Sequence, residues 1–329
     1  MLASVTHWLR RRGLRLVGLA LLVFLLIQID LARLVQVLRA TNPVLFAVAV
    51  GTILPMIGTK TVRWLRILHA QAIPYRLQPA FLAYLGSMFV GLLTPGRLGE
   101  FVKALHVSRD CGVPLARAFS SVLVDRLYDL YLLLIVGSAA LLTLVHSGAE
   151  LLTLVVSVGA LTVPLALFLS DPAFAFAQHL GRRFGRVGQR VFATDGWLVE
   201  MRNGIRQLSP RSVVLATALT VVSYGIFFGQ CYLLALALKM PLSYVEVSYA
   251  VAIGSLVTLL PISISGLGTR EASIIAYLGT AGIPAETALG FSILVFTTFY
   301  LSGGLMGAVA WWVQPAPLDR VRAAKGFPE

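Results

Sequence analysis

Arginine and glutamate occur together twice in this chain, each time in apolar surroundings. The first set contains Arg97, Glu100 and Lys103, and the second contains Thr269, Arg270 and Glu271. An arginine presents a planar fork of N–H donors that suits a phosphate or a carboxylate. A glutamate can accept a proton or balance a nearby cation. Both sets therefore have the chemistry to bind an anionic group.

Helix-breaking residues precede or interrupt both sets. They are Pro95, Gly96 and Gly99 in the first set, and Pro261, Gly266 and Gly268 in the second. Proline and glycine interrupt helices, and the helix that starts after a break exposes N–H groups to a phosphate or carboxylate. Thr269 is the predicted N-cap of the second of these helices. Interrupted apolar segments in corresponding halves of a membrane protein are typical of a transporter's binding site.

A third set of charges begins a long apolar run. Asp125 and Asp129 are four residues apart and would share a helix face. Arg126 lies off that face and is free to pair with another element. The carboxylates could serve a polar site or anchor the run at the water interface, and the sequence leaves both readings open. Glu100 likewise could serve a site or form an interfacial ion pair, with Lys103 for example.

The surrounding composition is that of an integral membrane protein. Of 329 residues, 58% are hydrophobic and 12% are charged, against roughly 25% charged residues in soluble domains. The formal charge of +13 lies mostly between apolar runs. This placement fits the positive-inside rule and contact with anionic lipids, and we do not expect nucleic acid as a partner. Cys111 and Cys231 lack metal-ligand spacing, and neither a metal nor a cofactor is expected.

Apolar runs predict an all-α, polytopic fold with one transmembrane domain over residues 1–313. Six of them are near the roughly 20 residues that a span needs, namely 14–29, 43–62, 119–145, 151–170, 212–238 and 287–313. Segments 79–107 and 247–279 are apolar but broken in the middle. Each could be a span followed by a surface helix, or a re-entrant hairpin.

Basic loops set the predicted orientation. The loops assigned to the cytoplasm are one with Lys60, Arg63, Arg66 and Arg76, one with Lys103, Arg109 and Arg117, the long loop 171–211, and the tail 314–329. Both termini are then cytoplasmic, and the basic loop 30–42 is the one exception. Within 171–211, Phe184, Val187 and Val191 alternate with arginines. This pattern is typical of an interfacial amphipathic helix, or of a basic linker resting on anionic lipid.

In this orientation, the two broken segments enter the membrane from opposite sides. They also carry the same Gly-Ser pair, at Gly86-Ser87 and at Gly254-Ser255. We therefore predict an inverted repeat in which these two pairs occupy equivalent positions.

These residues resemble the transmembrane region of the lysylphosphatidylglycerol synthases. The resemblance rests on residues 94–100, on Asp125-Arg126 with Asp129, and on 261–271, and it covers roughly 10–313. The family more often has glutamate at position 125. The resemblance implies a multi-pass inner-membrane flippase for a lipid with a polar headgroup, such as an aminoacylated phosphatidylglycerol or a polyprenyl-phosphate-linked sugar. Synthesis of lysylphosphatidylglycerol is not expected, because the aminoacyl-transfer domain is not seen.

The resulting prediction is a lipid flippase without a catalytic motif. Arg97 and Arg270 would hold the headgroup phosphate, and Glu100 and Glu271 would balance their charge. The substitution Glu271→Gln is expected to abolish transport with near-normal folding. Predicted partners are anionic membrane lipids and a lipid-biosynthesis enzyme, with the oligomeric state open. A membrane-embedded lipid-modifying transferase and a scaffold of a cell-envelope synthase remain as alternatives.

Overall fold

The computed structural model describes residues 21–144, 150–182, 196–260 and 262–315, which form a bundle of helices. The α-helices are α1 (Leu21–Gln28), α2 (Leu31–Arg39), α3 (Pro43–Gly51), α4 (Ile53–Ala70), α5 (Leu77–Leu92), α6 (Lys103–Cys111), α7 (Leu115–Leu144), α8 (Glu150–Leu169), α9 (Asp171–Arg182), α10 (Trp197–Arg206), α11 (Pro210–Ala237), α12 (Tyr244–Leu259), α13 (Thr269–Thr280), α14 (Ala285–Val295) and α15 (Ser302–Val313). A 3-10 helix, Leu98–Val102, precedes α6, and a π-helix, Phe296–Leu301, joins α14 to α15. The all-α prediction is confirmed.

Three helical stretches in the described ranges are long and apolar enough to cross a membrane. They are Pro43–Ala70, Pro210–Ala237 and Ala285–Val313, and they coincide with three predicted spans. A helix of 28 residues is about 42 Å long, more than the roughly 30 Å of a hydrocarbon core. Helices α7 and α8 occupy two further predicted positions. The count of six spans is not confirmed.

The first predicted span, 14–29, is described only from residue 21 onwards. Its visible part, α1, meets α2 at an angle of 90°. Asp30 explains the bend, because its carboxylate accepts hydrogen bonds from the N–H groups of Ala32 and Arg33 at 2.9 and 3.1 Å. This N-cap starts a new helix in a new direction.

The helix bounds of the first half of the chain recur in the second half. Pro43–Ala70 and Pro210–Ala237 both have 28 residues and begin with proline at N1. Leu77–Leu92 and Tyr244–Leu259 both have 16 residues. The same interval separates the corresponding starts and ends in both pairs, so the two halves share one helical plan.

The turn between these helices is also built twice. Ala72 and Lys239 are both left-handed, with φ of 55°. The N–H of the next residue, Ile73 or Met240, bonds to a carbonyl five residues earlier at 2.9 Å in both cases. Few non-glycine residues adopt this conformation, so the coincidence supports a true internal repeat.

The two halves interlock through these repeated helices. Helix α4 packs along its counterpart α11, while α5 packs on α15 and α12 packs on α7. Each half therefore supplies the packing partner of the other. At 16 residues, α5 and α12 are about 24 Å long, which is shorter than the hydrocarbon core. Their ends therefore fall inside a bundle whose longer helices can span.

The predicted basic loops need correction. Lys60 and Arg63 are not in a loop, because α4 continues to Ala70 and both side chains are buried in it. Segment 171–211 is not one loop either, since α9 and α10 lie within it. Phe184, Val187 and Val191 lie outside the described residues, as does the tail from residue 316.

Candidate functional site

A cavity of about 200 Å³ lies where the two broken segments meet. We call residues 93–97 the first break and residues 260–268 the second break. The two breaks touch directly, through an antiparallel backbone bridge between Pro95 and Ile264. The hydroxyl of Ser265 also donates a hydrogen bond to the carbonyl of Leu92 at 2.5 Å. The predicted interruptions are therefore present and adjacent.

The first break turns the chain back onto the end of α5. Gly96 and Arg97 are both left-handed, with φ of 58° and 57°. The N–H of Gly99 then donates to the hydroxyl of Thr94 at 2.7 Å. A Cβ on Gly99 would overlap the backbone of Val90, so only glycine permits this close approach. The turn holds the following 3-10 helix against α5.

Glu100 lies on that 3-10 helix between two arginines. Its side chain is 1% exposed, and Arg97 pairs with it at 2.5 Å. Arg126, on α7, pairs with the other carboxylate oxygen. The prediction that Arg126 is free to pair with another element is thus confirmed. Glu100 fixes both guanidinium groups at the cavity, which they line.

Asp125 and Asp129 share one face of α7, as predicted, and their partners are buried cations. Arg63 donates from Nε to Asp125 at 2.9 Å and from Nη1 to Asp129 at 2.8 Å. Lys103 donates to Asp125 at 2.6 Å, and Lys60 donates to Asp129 at 3.1 Å. Both carboxylates are buried, so they belong to the polar interior and not to an anchor at the water interface.

The rest of the cavity lining is mainly aromatic and aliphatic. Phe227 and Phe299 pack with ring centroids 5.0 Å apart, and Tyr224 lies under the ammonium group of Lys60 at 4.4 Å. Tyr300, in the π-helix, has the guanidinium of Arg97 over its ring at 5.1 Å. Cations stack favourably on aromatic faces in this range. The cavity therefore combines charged groups with apolar side chains, and aromatic rings lie directly against the cations.

The second predicted set forms a separate cluster at the start of α13. Glu271 accepts the N–H of Gly268 at 2.6 Å and pairs with Arg270. Gly268 is the N-cap, so the prediction of Thr269 as N-cap is wrong. The Glu271 carboxylate accepts the N–H of Gly268 at the helix start. The Thr269 hydroxyl instead shares a hydrogen bond with Ser263 at 2.8 Å.

This second cluster lies behind the cavity wall. Arg270 is 2% exposed, and the cavity lining from this half includes Ser255 and Thr258 but no charged residue. Arg270 has its guanidinium 4.9 Å from the ring of Tyr300, on which Arg97 also stacks. Substrate binding by Thr269, Arg270 and Glu271 stays a prediction.

The second break depends on a left-handed glycine. Gly266 has φ of 75°, and a Cβ there would overlap the side chain of Thr258. Ser265, beside it, is also left-handed with φ of 50°. Pro261, the predicted first residue of this interruption, lies outside the described residues.

The family relationship agrees with this arrangement. Residues 13–307 match the family described as the lysylphosphatidylglycerol synthase TM region. The chain belongs to this family. The match spans both repeats, and so it includes both breaks and the charged cluster between them. The protein is therefore an integral membrane protein.

Curated relatives of this family member come from archaea. A UPF0104 membrane protein of Methanocaldococcus jannaschii is 22% identical, over 93% of this chain and 96% of the relative. A UPF0104 membrane protein of Methanothermobacter thermautotrophicus is 22% identical over 76% of this chain and 78% of its own. The glycosyltransferase AglD of Haloferax volcanii is 25% identical over 86% of this chain, which spans half the length of that relative. No solved structure matches.

Sequence reasoning missed part of the charged cluster in this family member. Lys60 and Arg63 were assigned to a loop, and Lys103 was grouped with Arg97 and Glu100, whereas it pairs with Asp125. A usable signal existed, because Lys60 and Arg63 are three residues apart and would share a helix face. Charges inside a membrane almost always pair, so Asp125 and Asp129 required cations of this kind.

Proposed function

We propose that this protein moves a lipid with a polar, phosphate-containing headgroup between the leaflets of the inner membrane. The observation that carries the proposal is a cavity lined by both charged and apolar side chains, placed where the two broken segments meet. A lipid has the same two-part chemistry, because its headgroup requires polar partners and its chain avoids them. A cavity of about 200 Å³ suits a headgroup, so the chains would stay in the bilayer.

Arg97 and Arg126 are the residues we propose to hold the phosphate. Both guanidinium groups line the cavity and are fixed by Glu100, and an arginine can bind phosphate with two parallel hydrogen bonds. Separation of the two breaks would bring Arg270 and Glu271 to the headgroup path. We also propose that the repeat is inverted, so that the two breaks enter the membrane from opposite sides and both termini are cytoplasmic.

The proposed cargoes are aminoacylated phosphatidylglycerol and polyprenyl-phosphate-linked lipids. Both are products of lipid biosynthesis, so an enzyme that makes or uses the lipid is the proposed partner. The similarity to half the length of a protein named as a glycosyltransferase supports such a pairing. Anionic membrane lipids are the other proposed partners, through the basic residues between the helices.

Reconstitution into liposomes tests this function. Lipids with a terminal phosphate would be cleaved by added phosphatase once they reach the outer leaflet. Aminoacyl lipids there would react with an amine reagent that does not cross membranes. We expect the wild type to expose the inner pool, and Arg126→Gln to slow exposure at least tenfold. Arg206→Gln is the control, since Arg206 pairs with Asp171 outside the cavity. Exposure no faster than in empty liposomes for both lipids contradicts the proposal.

A lipid-modifying transferase is the second candidate, and the glycosyltransferase relative is the observation that favours it. The two carboxylates that line the cavity, Glu100 and Asp129, are each held in ion pairs with cations, so either one would have to leave its partners to act as a catalytic base. Mass spectrometry of the same liposomes separates the candidates, because a transferase would leave a chemically altered lipid. If the protein were instead a scaffold of a cell-envelope synthase, Arg126→Gln would not reduce its function.

A further inference from the structure

The charge of the cavity comes from one half of the chain. Its charged lining residues are Lys60, Arg97, Glu100, Arg126 and Asp129, and all of them precede α8. The lining from the second half consists of Tyr224, Phe227, Ser255, Thr258, Leu259, Phe299 and Tyr300. The repeat is therefore symmetric in its backbone and asymmetric in its chemistry.

Equivalent positions show this asymmetry directly. Lys60 corresponds to Phe227 when Pro43–Ala70 and Pro210–Ala237 are aligned at their first residues. The same interval places Asp129 at Phe296 of the π-helix. The Lys60–Asp129 ion pair at 3.1 Å therefore has two phenylalanines at the equivalent positions of the second half. Within this cavity, a bound anion has its charged partners in the first half alone.

The charged cluster at the cavity has more cations than carboxylates. The lining residues and those paired with them comprise five cations, Lys60, Arg63, Arg97, Lys103 and Arg126, and three carboxylates, Glu100, Asp125 and Asp129. The described residues of the cluster therefore carry an excess of two positive charges. Buried charge without a counterion is unfavourable, so the site lacks two negative charges.

The excess is concentrated at the cavity surface. Asp125 is held by Arg63 and Lys103, all three with side chains 0% exposed. Arg97 and Arg126 share Glu100 and have side chains 13% and 18% exposed. Among the described residues, none accepts a hydrogen bond from the buried Nε of Arg126. One excess charge is therefore shared by these two guanidinium groups. The other lies among Lys60, Arg63 and Lys103, which share two carboxylates and of which Lys60 lines the cavity.

We propose that the site selects a headgroup with two negative charges on phosphate, a phosphomonoester or a diphosphate, over a singly charged phosphodiester or a cationic aminoacyl lipid. This inference rests on the proposed function and narrows its cargo. The dianion would neutralise both excess charges, one shared by Arg97 and Arg126 and one in the ion-pair cluster that Lys60 brings to the cavity. A phosphodiester would leave one positive charge uncompensated, and an aminoacyl headgroup would add a further positive charge.

Binding of matched probes to the purified full chain in nanodiscs tests the preference. Decyl phosphate and its methyl ester have the same alkyl chain and differ mainly in one charge above the second phosphate pKa of about 6. At a pH about two units above that pKa, we expect decyl phosphate to bind at least tenfold more tightly than its methyl ester. Equal affinity for the two probes overturns the proposal. Inorganic phosphate binding as tightly as decyl phosphate would also overturn it, because the site would then belong to a free anion.

Substitutions test which residues cause the preference for decyl phosphate over its methyl ester. Arg126→Gln should weaken decyl phosphate binding about tenfold and reduce the ratio between the probes, while Arg126→Lys should recover part of both. Arg206→Gln should change neither affinity. A ratio unchanged in Arg126→Gln would contradict the assigned site. If Arg126→Gln does not fold, Lys60→Met gives the same comparison, because it also removes one cation from the lining.

The liposome assay separates this inference from the proposed function. Aminoacyl lipids that are moved as fast as phosphomonoester lipids would support transport and contradict the charge preference. A tenfold binding preference without any lipid movement would support the anion site and contradict transport.

Discussion

The hydroxyl of Ser265 donates a hydrogen bond to the carbonyl of Leu92 at 2.5 Å, and so joins the second break to the end of α5. The Pro95–Ile264 bridge lies beside it. Two segments far apart in sequence are thus joined next to the cavity, which Gly96, Arg97 and Leu259 line. If a headgroup passes between them, these contacts have to open during each cycle.

Cross-linking the two breaks should therefore stop transport. Residues paired in an antiparallel bridge have Cα atoms about 4.5 or 5.5 Å apart, within the range of about 4.4–6.8 Å that a disulfide spans. We expect Pro95→Cys/Ile264→Cys, made in a background without Cys111 and Cys231, to lose lipid exposure under oxidation and to recover it with reductant. Each single cysteine variant is the control. Full transport by a fully cross-linked protein would show that the breaks stay together.

Removing the buried guanidinium of Arg63 should destabilise the protein strongly. Arg63 bridges Asp125 and Asp129 and also donates to the Thr220 hydroxyl at 3.0 Å. The loss of one partner of a buried pair costs about 3–5 kcal/mol, so Arg63→Leu should lower the melting temperature in detergent well below that of Arg206→Leu. Similar melting temperatures for the two variants would contradict this account.

The structure changes the expected effect of Glu271→Gln. The predicted loss of transport with near-normal folding does not fit a carboxylate that is 2% exposed and paired with Arg270. Because the substitution leaves the Arg270 charge buried, we expect a loss of about 3–5 kcal/mol of stability. The double variant Arg270→Gln/Glu271→Gln should melt at a higher temperature than the single one. The reverse order of melting temperatures would rule out the pair as the cause.

Tyr300 should matter for its ring more than for its hydroxyl. Arg97 and Arg270, from the two broken segments, both stack on this ring, at 5.1 and 4.9 Å. Tyr300→Phe keeps the aromatic face, while Tyr300→Leu removes a cation–π contact of about 0.5–2 kcal/mol from each arginine. We expect near-normal lipid exposure with Phe and at least a fivefold slower rate with Leu. Equal rates in the two variants would exclude this role.

Much of the repeat could be predicted from local sequence. The offset between Gly86 and Gly254 is one position longer than the offset between the matching helix bounds, so the prediction that the two Gly-Ser pairs are equivalent is wrong by one residue. Proline and glycine act on the backbone next to them, so the breaks at Pro95-Gly96 and at Gly266 and Gly268 could be placed without tertiary information. The pairing of Arg126 with another element also followed from helical periodicity.

The charged cluster could be predicted only in part, because its contacts join distant helices. Lys60 and Arg63 lie near the end of an apolar run, where the positive-inside rule favours a cytoplasmic loop. Only the carboxylates of α7 make their burial favourable. Thr269 was misassigned for a similar reason, since Glu271 reaches back to the N–H of Gly268. Neither error could be corrected from the local pattern alone.

The separation of Arg63 from its counter-charges also has a consequence for biosynthesis. Asp125 follows Arg63 by 62 residues, and Asp129 follows Lys60 by 69. An arginine or lysine at the centre of a lone helix raises the cost of insertion by about 2.5–3.5 kcal/mol. Helix α4 therefore enters the bilayer at a disadvantage until α7 has been translated. The insertion machinery would have to retain α4 and release it together with α7, so a ribosome stalled after α6 should leave α4 outside the lipid.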